Sequence, residues 1–471
     1  MVLLLLGAAV LLGGGRGGFG DVLVQLLAVA LMLAQIASRR PAVRMPAPLL
    51  IVLVLALALP LLHMLPLPVD AWPRGGLRQQ IRLDLQVAAA TVDAHLSLDP
   101  LAAERALWSL LPALAMGVAV ARLGHAQRRL LTIVLLALAI LSILLGMAQL
   151  ADGQQSLLRF HSPTSTLDAV GFFANRNHLA SLLVACLPFA IGAAAWAYQR
   201  RAQESTSELL GIVGLIGVAL LLVLGIALAR SRAGLALGML ALLLCLPILW
   251  RLRAHRRVGR TLLLALLAAL VLSVPFALFG LLQRLQTDVL DDGRWGYARV
   301  VNVAAHASAP LGSGLGTFAQ VYPQYEADTG VGPDYAVVNH AHNDVLELWL
   351  EAGRPFIAAF AVFIVALTWM GMRLWRPVAS LPAESLLLAR LAWVSTLLLV
   401  LHSGLDYPLR TTAMMTVFAM LLALSVPALR GRTHRLASPT TEVRSQQKRV
   451  KDPTRDDSSV APITAIAGES I

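Results

Sequence analysis

Twelve runs of predominantly apolar residues, at 1–15, 21–37, 47–65, 104–121, 130–150, 177–198, 209–229, 233–250, 261–282, 355–372, 386–403 and 412–429, constrain this chain more than any other feature. A hydrocarbon core of roughly 30 Å takes about 20 residues of helix to cross, and inside it every backbone N–H and C=O must be paired within the segment. Each run is therefore expected to be a helix. With 58% of residues hydrophobic and 14% charged, the chain has too little polar surface for a water-soluble globule of its length. The expected fold is all-α, a polytopic transmembrane helix bundle of about 12 spans. Run 1–15 is short and lacks a basic leader and a small-residue cleavage site, so it reads as a marginal span rather than a signal peptide.

A net charge of +12 would suit nucleic acid if it were gathered on a soluble domain, but the cations are scattered between apolar runs. With the N-terminus inside, 23 of the 38 Lys and Arg and 8 of the 26 Asp and Glu fall on the inner side, against 14 and 18 on the outer, which leaves +15 inside and −4 outside. That is the positive-inside pattern, and it sets the expected orientation. Two outer connections are long, 66–103 and 283–354. The first has a polar stretch, Leu77 to Leu96, expected to lie along the membrane surface; the second, between spans 9 and 10, is the largest soluble part. Residues 430–471, rich in Ser, Thr, Pro and charge, read as a disordered basic cytoplasmic tail.

The outer arginines run against topological preference and call for a reason. Arg230, Ser231 and Arg232 form a tight outer connection; Arg294 and Arg299 precede Gly312, Gly314 and Gly316; Asn175, Arg176, Asn177 and His178 open another span on that side. Snorkelling and capping would explain any one of them, but hardly all of them on one face. The most site-like segment is Asn339, His340, Ala341, His342, Asn343, Asp344. Asp344 and Glu347 have capping-box spacing, so His342 should precede a helix N-terminus, which favours a neutral, proton-accepting imidazole. His340 reads equally as a solvated loop residue. Cys186 and Cys245 are both inside apolar runs, and H-x-H before a capping box matches no zinc spacing, so no metal is assigned. The glycines at 312–316 lack the Lys-Ser/Thr pair of a phosphate loop and read as a turn.

In order along the chain, Gly171, Phe172, Phe173, Ala174 with Asn175, Arg176, Asn177, His178; Ser231, Arg232, Ala233, Gly234; Arg294 with Pro310, Gly312, Gly314, Gly316 and Phe318; and His342, Asn343 ahead of Glu351 and Gly353 resemble the bacterial O-antigen ligase and polysaccharide polymerase superfamily. The resemblance covers about 170–356 and departs from the family pattern at Phe356, where a glycine is usual. It implies a transmembrane glycosyltransferase domain over 1–429, with 283–354 as a periplasmic catalytic loop, in a bacterial inner membrane. The implied reaction moves a glycan from polyprenyl diphosphate to an acceptor hydroxyl at the periplasmic face. The acceptor is lipid A-core in a ligase and another lipid-linked repeat in a polymerase; ligase is the first expectation. Arg232 and Arg294 would then grip the diphosphate and His342 would act as general base, with Arg176, His178, Arg230, His340 and Asn343 as further candidates and no cofactor. A secondary transporter is the alternative of another class, but only Arg390 is charged within a span, and carriers place such groups near the midplane.

Overall fold

The computed structural model describes residues 1–15, 17–38, 46–162, 166–200, 206–251, 293–326, 338–376 and 381–427. Run 261–282, the start of the long connection at 283–292 and the tail 430–471 lie outside the described residues.

Among the described residues there is no strand, and the helices in chain order are α1 (Val2–Leu12), α2 (Phe19–Ala37), α3 (Ala47–His63), α4 (Gly76–Val87), α5 (Pro100–Ser109), α6 (Leu111–Ala121), α7 (His125–Ala151), α8 (Arg176–Arg200), α9 (Thr206–Leu228), α10 (Arg232–Arg251), α11 (Gly293–Ala307), α12 (Phe318–Val321), α13 (Asp344–Trp375), α14 (Ala383–Ser403) and α15 (Thr412–Leu424). Eight of these segments are long and apolar enough to cross a membrane, counting α5 and α6 as one, while α1, α3 and α15 are shorter apolar helices. The protein is a polytopic helical bundle. Run 1–15 contributes only the eleven residues of α1. Run 104–121 is divided at Leu110, ahead of Pro112 in the first turn of α6.

The core follows from composition. Helix α8 is apolar on all sides and is the most buried span, as a helix with no polar face must be. Helices α7, α9, α10 and α14 pack around it. Gly234 lets α10 close on α8, since a methyl there would meet the Ala180 Cβ at 2.7 Å; small residues set such distances where lipid supplies no hydrophobic drive.

The interhelical connections bond to one another in two groups. In one group, Arg122 donates to Gln35 O at 3.0 Å, Arg128 donates to Val426 O, and Glu384 pairs with both His125 (3.3 Å) and Arg200 (2.5 Å). In the other, Ala174 N donates to Gly14 O, Ala413 N to Gly13 O, Leu98 N to Ser313 O and Asp344 N to Asp406 O. These groups divide the loops as the charge count does. Helix α4 turns Leu77 and Ile81 into a small core with Val300, Val301, Ala304, Phe318 and Tyr322, because α11 offers a complementary apolar face. Arg78, also on α4, is buried; it donates to Leu96 O and Gly312 O (2.9 Å) and stacks over Trp72. Burial draws its pKa down to about 10.

Candidate functional site

The site is built on a break in α13. Pro355 has no N–H to give the Glu351 carbonyl, and Gly353 takes a left-handed φ of 57°, so the helical ladder opens there. The 308–317 loop takes up the freed groups: Ser313 N donates to Leu350 O (3.0 Å), Gly314 N to Glu351 O (2.8 Å), and Arg354 N to Pro310 O (2.8 Å). A methyl group at Gly353 would collide with the Pro310 carbonyl, and one at Gly312 with that of Glu351. The glycine-rich segment is thus a close-fitting brace on the kink, which fixes the direction of the short helical arm 344–352.

That arm carries Asp344, Glu347 and Glu351, all buried and spaced to lie on one face. Its N-cap is Asn343, whose Oδ1 accepts from Val345 N (2.9 Å) and Leu346 N (3.1 Å). The capping-box assignment of Asp344 and Glu347 is therefore corrected: with the cap supplied one residue earlier, both carboxylates are turned toward Arg410. The Arg410 guanidinium, on the Pro408–Arg410 turn between α14 and α15, reaches Glu351 at 2.9 Å, Glu347 at 3.4 Å and Asp344 at 3.7 Å. Burial works against its charge, but Glu347, Glu351 and Asp344 together outweigh burial and raise its pKa. Glu347 also accepts from Ala341 N (2.9 Å) and pairs with His340 Nδ1 at 2.8 Å. His340 is consequently a partnered residue and not a loosely solvated one.

His342 has a φ of 50°, uncommon for a residue with a side chain. Its ring lies against Tyr297 (centroids 5.7 Å apart, 20° between planes) and stands edge-on to Tyr407 at 4.9 Å. Its Nδ1 is 3.3 Å from Oδ1 of Asp406, a fully buried carboxylate, whereas the imidazole is 31% exposed. One ring nitrogen faces a buried acid while the ring remains open to an incoming group. Asp406 is held by Tyr407 N (3.0 Å) and by Asn177 Nδ2.

Tyr407 gathers the histidines. His340 stacks on it at 4.4 Å, His178 meets it edge-on at 5.0 Å, and Asn175 Nδ2 donates to its hydroxyl at 3.4 Å. His178 is 2% exposed. Arg176 is ion-paired at 2.6 Å with the buried Asp168. Arg230 has a φ of 48° and donates to Leu167 O at 3.5 Å. Arg232 begins α10 with an exposed side chain, beside Ser231, whose Oγ accepts from Gly234 N at 3.0 Å. Arg294 is in the first turn of α11, but its side chain lies outside the described atoms. The structure thus joins His178, His340 and His342 around one tyrosine, with Asn343 one residue from His342 and bonded to Gly404 O. Among the described residues, no group of three or more His, Cys, Asp or Glu is arranged to hold a metal ion.

Asp406, Tyr407 and Arg410 were not singled out in the sequence. Arg410 was one of the 14 outer-side arginines, and the outer connection of which it is part, Gly404 to Thr411, was itself the available signal.

A family model described as O-antigen ligase matches residues 217–364. It spans Arg232, Arg294, His340, His342 and the arm with its three carboxylates, and stops short of Asp406 and Arg410. No curated protein matches the chain.

Proposed function

We propose, from the match of residues 217–364 to the O-antigen ligase family model, that this chain transfers a glycan from polyprenyl diphosphate to an acceptor hydroxyl at the periplasmic face of a bacterial inner membrane, with lipid A-core as the acceptor. The observation that carries this reading is His342, backed by the buried Asp406 and open on its other side.

The chemistry follows from that pair. The acceptor O–H gives its proton to His342 as its oxygen attacks the anomeric carbon. The bond from that carbon to the diphosphate breaks, and polyprenyl diphosphate leaves with the electron pair. Asp406 holds the ring and offsets the positive charge that forms on it. Arg232 and Arg294 bind the diphosphate, since a guanidinium keeps its charge and matches phosphate oxygens two at a time; offsetting the negative charge the diphosphate gains as it leaves lowers the barrier to its departure. Arg410 has a different task, because three carboxylates already surround it. It fixes the arm that presents His342. The single displacement inverts the anomeric centre.

The test is transfer by the purified protein in lipid nanodiscs, with lipid-linked glycan as donor. His342→Gln keeps size and hydrogen bonding without useful basicity and is expected to lower the transfer rate by about 10² to 10⁴ while donor binding persists. Transfer at the wild-type rate removes His342 from the role of base. A deletion strain separates the two acceptors: loss of attached polymer with build-up of lipid-linked polymer marks a ligase, whereas build-up of single lipid-linked repeats marks a polymerase.

A further inference from the structure

A cavity of about 570 Å³ lies at the α1–α2 turn and has no part in the chemistry above. Its walls are Leu11 and Leu12 at the end of α1, the glycine turn leading into α2, and the aromatic rings of Phe19, Phe160 and Phe172. Asp21 and His161 supply its polar groups. Asp21 Oδ1 and His161 Nε2 are shut off from solvent and have no hydrogen-bond partner among the described residues. Phe160 and Phe172 are stacked with centroids 6.2 Å apart and 10° between planes, and Phe160 is 59% exposed. The glycine turn is bonded directly to two elements of the site: Gly14 O accepts from Ala174 N, next to Asn175, and Gly13 O accepts from Ala413 N, three residues after Arg410.

We propose that this cavity is a saccharide-binding subsite that seats a sugar ring of one glycan substrate. The proposal rests on the glycosyl-transfer reading, which supplies the glycan. Flat aromatic faces pack against the C–H face of a pyranose, while a carboxylate oxygen and an imidazole nitrogen bond its hydroxyls. A hydrocarbon chain fits the same space less well. It would set CH₂ groups against a cavity wall to which Asp21 and His161 bring polar side chains. Gly15 lets the His161 ring pack against the turn, since a methyl group there would strike it.

The experiment is saturation-transfer NMR on the full chain in nanodiscs, with three probes: lipid-free core oligosaccharide, a lipid-free repeat-unit oligosaccharide, and polyprenyl phosphate. Wild type is expected to bind at least one oligosaccharide. Asp21→Asn and Phe160→Ala should each weaken that binding about tenfold and leave polyprenyl phosphate unaffected. Which oligosaccharide responds tells whether the acceptor or the donor glycan occupies the cavity. Phe160→Ala removes an exposed ring and serves as the control for folding. Oligosaccharide binding unchanged in both variants, no oligosaccharide binding by wild type, or a loss confined to polyprenyl phosphate would each overturn the subsite. His342→Gln separates the two readings: its oligosaccharide binding should be intact, so a saccharide subsite can stand even if the base assignment falls.

Discussion

Two buried arginines at the same end of the bundle have opposite surroundings. Arg78 gives its hydrogen bonds to the backbone carbonyls of Leu96 and Gly312 and lies over the Trp72 ring. Arg410 faces Asp344, Glu347 and Glu351. Burial pulls the pKa of the first down to about 10; in the second, the carboxylates reverse that effect. The difference separates a fastener from a charge balance. Arg78 pins α4 and the 96–98 strand of chain to the glycine loop, and any well-shaped group able to fill its place would hold part of that contact. Arg410 cannot be replaced by shape alone, because its removal takes the guanidinium away from three buried acids at once.

The strongest test of this contrast is Arg410→Met against Arg78→Met. Removing one partner of a buried ion pair costs about 3–5 kcal/mol, so the first should unfold far more easily, or fail to accumulate. Losing hydrogen bonds to neutral carbonyls should cost about 1–3 kcal/mol. Thermal unfolding in detergent at matched protein level measures both. Adding Glu351→Gln to Arg410→Met should recover part of the loss, since it removes one uncompensated acid. Equal destabilisation by the two single variants, or no recovery in the double, would break the contrast.

A smaller effect is expected from Asp406→Asn, which keeps the shape beside His342 and removes the charge. If Asp406 positions the ring and balances its proton, the turnover rate should fall on the order of 10²-fold while the KM for the lipid-linked donor changes little. A rise in KM with turnover preserved would make Asp406 a packing residue of the α8–α14 contact, to which it also belongs through Asn177. That result would assign both buried charge clusters, at 406 and at 410, to structure alone.

The sequence made the bundle legible because helices in lipid are written in long apolar runs, and α7, α8, α9, α10 and α14 begin and end within a few residues of theirs. His342 and Asn343 were legible because turn, cap and motif coincide within a few residues. Asp406 and Arg410 were not, because they come from the connection after α14, more than sixty residues from His342, and no local spacing reports a contact closed by tertiary packing. Asp344 and Glu347 misled for the opposite reason. Their spacing fits a capping box, but that pattern is shared by any pair of acids on one helical face, and Asn343 was an equally good cap. Helix α4 shows the same limit: its apolar residues suggested an amphipathic helix, but no local spacing reports that Leu77 and Ile81 pack on α11.

The smallest effect concerns Asn343, where the two functions of this end of the bundle meet. Its Oδ1 caps the arm through Val345 N and Leu346 N, while its Nδ2 donates to Gly404 O at 2.8 Å, tying the arm to the connection that carries Asp406 and Arg410. Asn343→Ala loses both and should cost about 1 kcal/mol of stability, with up to about 2 at the upper end for a helix cap. Asn343→Asp keeps the cap and strengthens it toward the helix dipole, but loses the donor to Gly404 and adds a negative charge near Asp344 and Asp406. If the cap matters more, Asn343→Asp should melt close to wild type and transfer normally. If the tether matters more, it should melt close to wild type yet transfer severalfold more slowly, because His342 and Asp406 are then held by separate, less tightly joined segments. Measuring both the melting temperature and the transfer rate of the two variants distinguishes these cases, and wild-type behaviour of Asn343→Ala in both would show that the arm is fixed by the glycine brace and Arg410 without its cap.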